Sequence, residues 1–399
     1  MIKYTYKTTM FSCFAGYVVQ AVVNNFIPLL FITFQNTYAI PLNQITLLVT
    51  INFGVQLLVD FLATFFVDKV GYRPCIVLAQ FCAALGLVLL TVLPEMMDPF
   101  AGILLSVIVY AIGGGLIEVL ISPIMESCPT DNKEKAMSLL HSFYCWGHVG
   151  VVSLSTAFFA VWGIHNWRIL AVIWSIIPII TGLFFLKTPI APLIAEGEKG
   201  MGLGELVKSK AFWTLVIMMV SSGASEIAMS QWASAFAEMG LGIPKNVSDL
   251  AGPLTFAVLM GSARVFYGKF GHRINMDKFM AGGCMLCIAA YLLTALSPLP
   301  VLGIVGCALC GFSVGIMWPG TFSKAASILP RGGTAMFALL ALAGDFGASS
   351  GPSVVGFVSN SAAGNLRAGI LAAVVFPVML LLCLIVNKKK GVGYETSSN

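Results

Sequence analysis

The chain has 399 residues, of which 58% are hydrophobic and only 10% charged, with a formal net charge of +5 and a mean hydropathy of +0.92. Soluble domains carry about 25% charged residues, so this composition excludes a soluble globule. The small positive charge matters through its placement, and no nucleic-acid partner is expected.

Lys3 and Lys7 precede an apolar run that imitates a signal peptide, but the run continues for roughly 25 residues and further spans follow, so it reads as a first transmembrane helix. Apolar runs bounded by Pro, Gly, Asn or charge fall near 10–34, 44–67, 74–93, 100–126, 134–161 and 167–187. Six more fall near 211–239, 248–270, 277–296, 300–328, 333–360 and 365–387. The expected fold is all-α and polytopic, with twelve transmembrane helices in two pseudo-symmetric six-helix bundles. The expected organisation is an N-terminal bundle over 1–187, a polar cytoplasmic loop over 188–210, a C-terminal bundle over 211–390 and a tail over 391–399. Within the loop, 203–212 is expected to form a short interfacial helix.

Lys and Arg stay on the cytoplasmic side of a membrane. With both termini inside, only Arg168, Lys245 and Arg367 of the 22 basic residues fall outside. That imbalance supports the twelve-span count, because one missed helix would scramble the alternation. A multi-pass protein of the cell membrane is expected.

The halves repeat. Asp68, Gly71 and Arg73 after span 2 correspond to Gly268, Gly271 and Arg273 after span 8. Gly115 and Pro123 correspond to Gly311 and Pro319, and Ala136, Met137 and Gly147 correspond to Ala335, Met336 and Gly347. Parallel repeats of this kind define a class of secondary transporters.

Four carboxylates fall within spans: Asp60, Glu118, Glu226 and Asp345. Each costs roughly 2.5 to 3.5 kcal/mol at the bilayer centre, so each is expected to face a partner or a polar cavity. Arg264 and Lys324 are placed near cytoplasmic helix ends, which leaves the cavity neutral to acidic. That disfavours phosphate or carboxylate cargo and suits a neutral polyol or a cation. Residues four apart share a helix face. Gly16, Gln20 and Asn24 form one stripe, with Asn25 beside it. Asn52, Gln56 and Asp60 form a second, and Glu226 with Ser230 forms a third beside Gln231. These amides offer paired donors and acceptors to neighbouring hydroxyls, or else act as glue between helices. In span 5, His141, Tyr144 and His148 share a face, and Trp318 is available to stack on a sugar ring or to pack. The ten cysteines, including the Cys284–Cys287 pair, read as small apolar packing residues, and no metal site or cofactor is expected.

The run DKVGYR, Asp68 to Arg73, resembles the loop signature of the major facilitator superfamily. In it, Asp68, Gly71 and Arg73 would latch neighbouring helices through charge-assisted hydrogen bonds in one conformational state. The run GGGLIEVLISP in span 4 resembles an element of the fucose and glucose/galactose proton symporter family. Glu118 stands at its glutamate, Ser122 replaces its asparagine, and Pro123 stands at its proline. AMSLLHSFYCWG in span 5 resembles a second element and places His141, Tyr144 and Gly147 at matching positions. The family's Asn-Asp pair in span 1 is here Asn24 and Asn25, which shifts ion coupling to Glu118, Asp60 and Asp345.

The resemblance implies a proton-coupled symporter of a monosaccharide or similar neutral polyol, working as a monomer by rocking of two bundles around a midplane site. Substrate contacts are expected from Gln20, Asn24, Asn25, Asn52, Gln56, His141, Tyr144, Glu226, Gln231 and Trp318. Sodium-coupled or uncoupled sugar transport, export of lipophilic cations and a non-transporting membrane sensor are the alternatives. No paired nucleophile and base or metal set marks an enzyme.

Overall fold

The computed structural model describes residues 4–191, 193, 200–236 and 253–391. Glu196, Glu198 and Lys199 of the central loop, Lys245, the 237–239 and 248–252 ends of spans 7 and 8, and the tail beyond 391 lie outside the described residues.

Among the described residues every regular element is helical. Ten helices are long and apolar enough to cross a membrane by length and composition, and two further helices, Pro253–Phe270 and Gly333–Ser361, complete twelve spans. Spans 2 to 6 are Leu42–Val70, Tyr72–Met96, Pro99–Ser127, Lys133–Trp162 and Trp167–Lys187. Span 7 is Lys210–Ala235, span 8 Pro253–Phe270, span 9 Met276–Leu296 and span 11 Gly333–Ser361. The expected interfacial helix is present as Leu203–Lys208 and stops at Ser209, whose hydroxyl accepts from the Phe212 N–H and caps span 7.

Three spans are broken. Span 1 runs as Tyr6–Asn25, a 3₁₀ turn Ile27–Leu30 and a short helix Phe31–Tyr38. Pro28 opens that turn and lacks the N–H that would bond the Asn24 carbonyl, so the α-helix ends there. Span 10 is split into Pro300–Val314 and Met317–Ile328, and span 12 into Leu366–Ala372 and Val375–Gly391.

The chain divides into two compact units. The first comprises Met1–Asp131, Phe143–Gly200 and Arg331–Leu339; the second comprises Asn132–Ser142, Met201–Pro330 and Leu340–Asn399. The opening turn of span 5 counts with the second unit and that of span 11 with the first. Each turn makes a polar contact within its unit. In the first unit the Tyr72 hydroxyl is hydrogen-bonded to Thr334, and in the second the Tyr267 hydroxyl donates to Glu134 at 2.9 Å.

In the first unit span 3 packs on spans 4 and 6, and span 4 also packs on spans 1 and 2. In the second, span 10 packs on spans 8 and 9, and span 7 on span 12. Spans 7 and 11 touch backbone to backbone, since a side chain on Gly223, Gly344 or Gly347 would run into the opposite main chain or Trp318. The ten cysteines are free thiols, eight of them buried, with the Cys287 and Cys310 sulfurs 3.9 Å apart.

Candidate functional site

In the first unit the stripes on spans 1 and 2 meet through a directed chain of amides. Gln20 Nε2 donates to Gln56 Oε1 at 2.9 Å and to Glu118 Oε2 at 3.2 Å. Gln56 Nε2 donates to Asn24 Oδ1 at 2.9 Å, and Asn52 Nδ2 donates to the same oxygen at 3.3 Å. Gln20, Asn52 and Gln56 are buried and Asn24 half-buried. Asn25 bonds back along its own helix, donating to the Ala21 carbonyl at 2.9 Å, and Tyr144 interacts with the side chains of Asn24 and Asn25. Asp60 is fully buried one turn further along span 2, with a carboxylate oxygen within 4.8 Å of one from Glu118.

The Gly113–Gly115 run brings Glu118 into this group. A side chain at 113 would lie 2.6 Å from the Ala79 carbonyl of span 3, and one at 115 would lie 2.9 Å from Val59 and 3.0 Å from the Gln56 carbonyl of span 2. Only hydrogen at these positions lets span 4 close on both neighbours, and Glu118 follows one turn later. Ser122, where the resembling family has asparagine, shares a 2.9 Å hydrogen bond with Tyr17.

At the turn between spans 2 and 3, Gly71 has φ +95°, a conformation that favours glycine. Arg73 donates to the Phe185 and Leu186 carbonyls at 2.8 Å and to the Thr188 carbonyl at 2.9 Å, capping the end of span 6. Asp68 is exposed and makes no hydrogen bond or ion pair among the described residues, so in this structure only the arginine of the signature ties helices together.

The second unit corrects the expectation that no basic residue lies among the span carboxylates. Arg264 is 3% exposed and its Nη2 is 3.2 Å from Glu226 Oε2. Its Nε donates to the Gly315 carbonyl at 2.9 Å and its Nη1 to the His141 carbonyl at 3.1 Å. Pro319 is the physical reason. In an unbroken helix the Gly315 carbonyl would accept from residue 319, and proline has no N–H to give. Span 10 breaks there, and the guanidinium takes the freed carbonyl. The pair is internally compensated, so the arginine does not make the site basic.

His141 stacks on Phe322 with ring centroids 5.9 Å apart, and Trp318 meets Phe322 edge to face while lying over Gly344. Gln231 is exposed and has no hydrogen-bond partner among the described residues, and Asp345 is half-buried beside Gly344. Lys324 pairs with Asp277 at 2.5 Å at the rim of a polar cavity of about 320 Å³ lined also by Asn132, Glu134 and Asn275. None of the residues named as substrate contacts from the sequence lines this cavity. The sequence reading missed Tyr17, Arg264 and the partners of Arg73. A lone arginine inside the apolar run 254–267 was the available signal for the second of these.

Residues 9–352 match the Major Facilitator Superfamily. No curated protein matches the sequence. Among solved structures, the E. coli fucose:proton symporter is similar with a TM-score of 0.84 at 17% identity, covering 96% of this chain and 98% of that one. The human organic anion transporter MFSD10 is similar at 0.74 and 15%, covering 95% of this chain and 99% of that one. The proton:xylose symporter XylE is similar at 0.73 and 14%, covering 96% and 95%. At these identities the likeness is one of fold. With twelve helical spans and a match over residues 9–352, the chain belongs to the major facilitator superfamily and is a multi-pass membrane transporter, not an enzyme.

Proposed function

We propose that this transporter carries a monosaccharide or similar neutral polyol in symport with a proton, by alternating access, as a monomer in the cell membrane with both termini in the cytoplasm. The amide–carboxylate cluster of the first unit carries the reading. Asn24, Asn52, Gln56 and Tyr144 present amide and hydroxyl groups of the kind that pair with sugar hydroxyls, and the buried Asn52 Oδ1 has no donor of its own. Beside them Asp60 and Glu118 lie close enough for their charges to repel strongly away from water, so the pair favours one bound positive charge. The compensation of Arg264 by Glu226 supports neutral rather than anionic cargo. Two of the similar structures are named as proton symporters of the neutral sugars fucose and xylose.

The test is counterflow of a labelled sugar panel into proteoliposomes, with and without an imposed proton gradient. At least one sugar exchanges, and it accumulates only with the gradient. Glu118→Gln keeps exchange and loses accumulation. Exchange of a cationic dye with no sugar exchanged overturns the cargo assignment, and accumulation that survives Glu118→Gln removes Glu118 from coupling.

A further inference from the structure

Spans 9 and 10 press together at two points. A side chain at Gly283 would lie 2.8 Å from the Ser313 carbonyl, and one at Gly306 would lie 2.9 Å from the Ala290 carbonyl. Cys287 follows Gly283 by one turn and Cys310 follows Gly306 by one turn, so both sit between the points of closest approach. The main chains thereby hold the two sulfurs face to face at 3.9 Å, fully buried.

One turn back along span 10, the Cys307 sulfur is 3.6 Å from that of Met229 on span 7, and both residues are buried. Tyr291 of span 9 interacts with all three thiols, while its hydroxyl donates to the Ser225 carbonyl at 2.8 Å. Cysteines that read from the sequence as separate packing residues are gathered here with a thioether, from three helices of the second unit.

Filling this space needs only apolar bulk, which alanine or valine supplies; what sulfur adds is polarisable electron pairs. Two cysteine sulfurs bound to one metal ion at about 2.3 Å lie about 3.8 Å apart at the tetrahedral angle and about 4.0 Å apart at the trigonal one. The 3.9 Å between Cys287 and Cys310 falls between these values. Thiolate and thioether donors favour soft ions over magnesium or calcium. Net charge in the apolar core is costly. Zinc takes four ligands and needs two ionised thiols for neutrality, whereas cuprous copper needs one. Its binding replaces one S–H bond with a copper–sulfur bond, copper stays cuprous, the proton leaves to water, and the other sulfurs serve as neutral donors.

We propose that Cys287, Cys310, Cys307 and Met229 form a binding site for cuprous copper inside the second unit, with Cys287 and Cys310 as its principal ligands. The site is independent of the cargo and of the coupling ion.

The experiment titrates the purified full-length protein anaerobically with cuprous ion against bicinchoninate as competing chelator. One copper per chain is retained, and its X-ray absorption spectrum shows sulfur neighbours alone. Cys287→Ala and Cys310→Ala each weaken binding by at least about tenfold, the scale on which even a ligand's supporting partner counts. Cys82→Ala combined with Cys383→Ala removes the two half-buried thiols outside the group and leaves binding unchanged. If the first two variants do not fold, Met229→Leu keeps the side-chain volume and still weakens binding, and the wild-type spectrum still reads the ligands. No copper retained against the chelator, or nitrogen or oxygen neighbours in the spectrum, overturns the site. Copper held unchanged by every folded variant of the group, or lost with Cys82 and Cys383, marks adventitious thiol binding and overturns it as well.

Discussion

Arg264 and Glu226 meet at 3.2 Å inside the second unit, and the same guanidinium bonds the carbonyl that Pro319 leaves free in span 10. One side chain therefore neutralises a buried carboxylate and repairs a broken helix. Arg264→Leu removes both functions and leaves Glu226 without its counter-charge, so a loss of about 3 to 5 kcal/mol is expected. Arg264→Leu combined with Glu226→Leu recovers part of that loss, because the uncompensated charge is gone while the Gly315 carbonyl stays unbonded. Thermal unfolding of the two variants in detergent checks the order.

Gly115 faces Val59 and the Gln56 carbonyl at 2.9 and 3.0 Å from where a side chain would begin. Gly115→Ala forces spans 2 and 4 apart and costs about 1 to 3 kcal/mol. Since Glu118 lies one turn beyond, ion-driven accumulation falls more than exchange does. Parallel measurement of melting temperature, counterflow and accumulation separates the two effects, and equal loss of exchange and accumulation refutes the special position of Glu118.

Gln56 is the only described residue that both accepts from Gln20 and donates to Asn24. Gln56→Leu breaks the chain between Gln20 and Asn24 and removes one proposed sugar contact, so sugar affinity in counterflow falls by about tenfold. Counterflow at graded sugar concentrations checks this, and an affinity unchanged in the variant removes Gln56 from the solute position.

Arg73 caps span 6 through three carbonyls, whereas Asp68 makes no bond among the described residues. Arg73→Ala leaves the Phe185, Leu186 and Thr188 carbonyls short of a donor and costs about 1 to 3 kcal/mol, with faster hydrogen exchange at the end of span 6. Asp68→Asn leaves the melting temperature unchanged. A large thermal loss from Asp68→Asn contradicts this division.

The sequence by itself determined the twelve spans, the two repeated halves and the face on which each polar stripe lies. These properties are local: the length of an apolar run sets a span, and the period of the helix sets a face. The same locality made Gln20, Asn24, Gln56 and Glu118 legible as one candidate group, because each sits on a stripe or in a recognisable run. Only the tertiary structure decided which groups pair. Arg264 looked like a residue of a helix end until its neighbours Glu226, Gly315 and His141, between 38 and 123 residues away in sequence, came into view. The partners of Arg73 lie between 112 and 115 residues away, and the acceptor left over on Gln20 follows from two contacts made on different helices. Hydrogen bonds across such distances depend on how helices stack, which no short window of sequence contains.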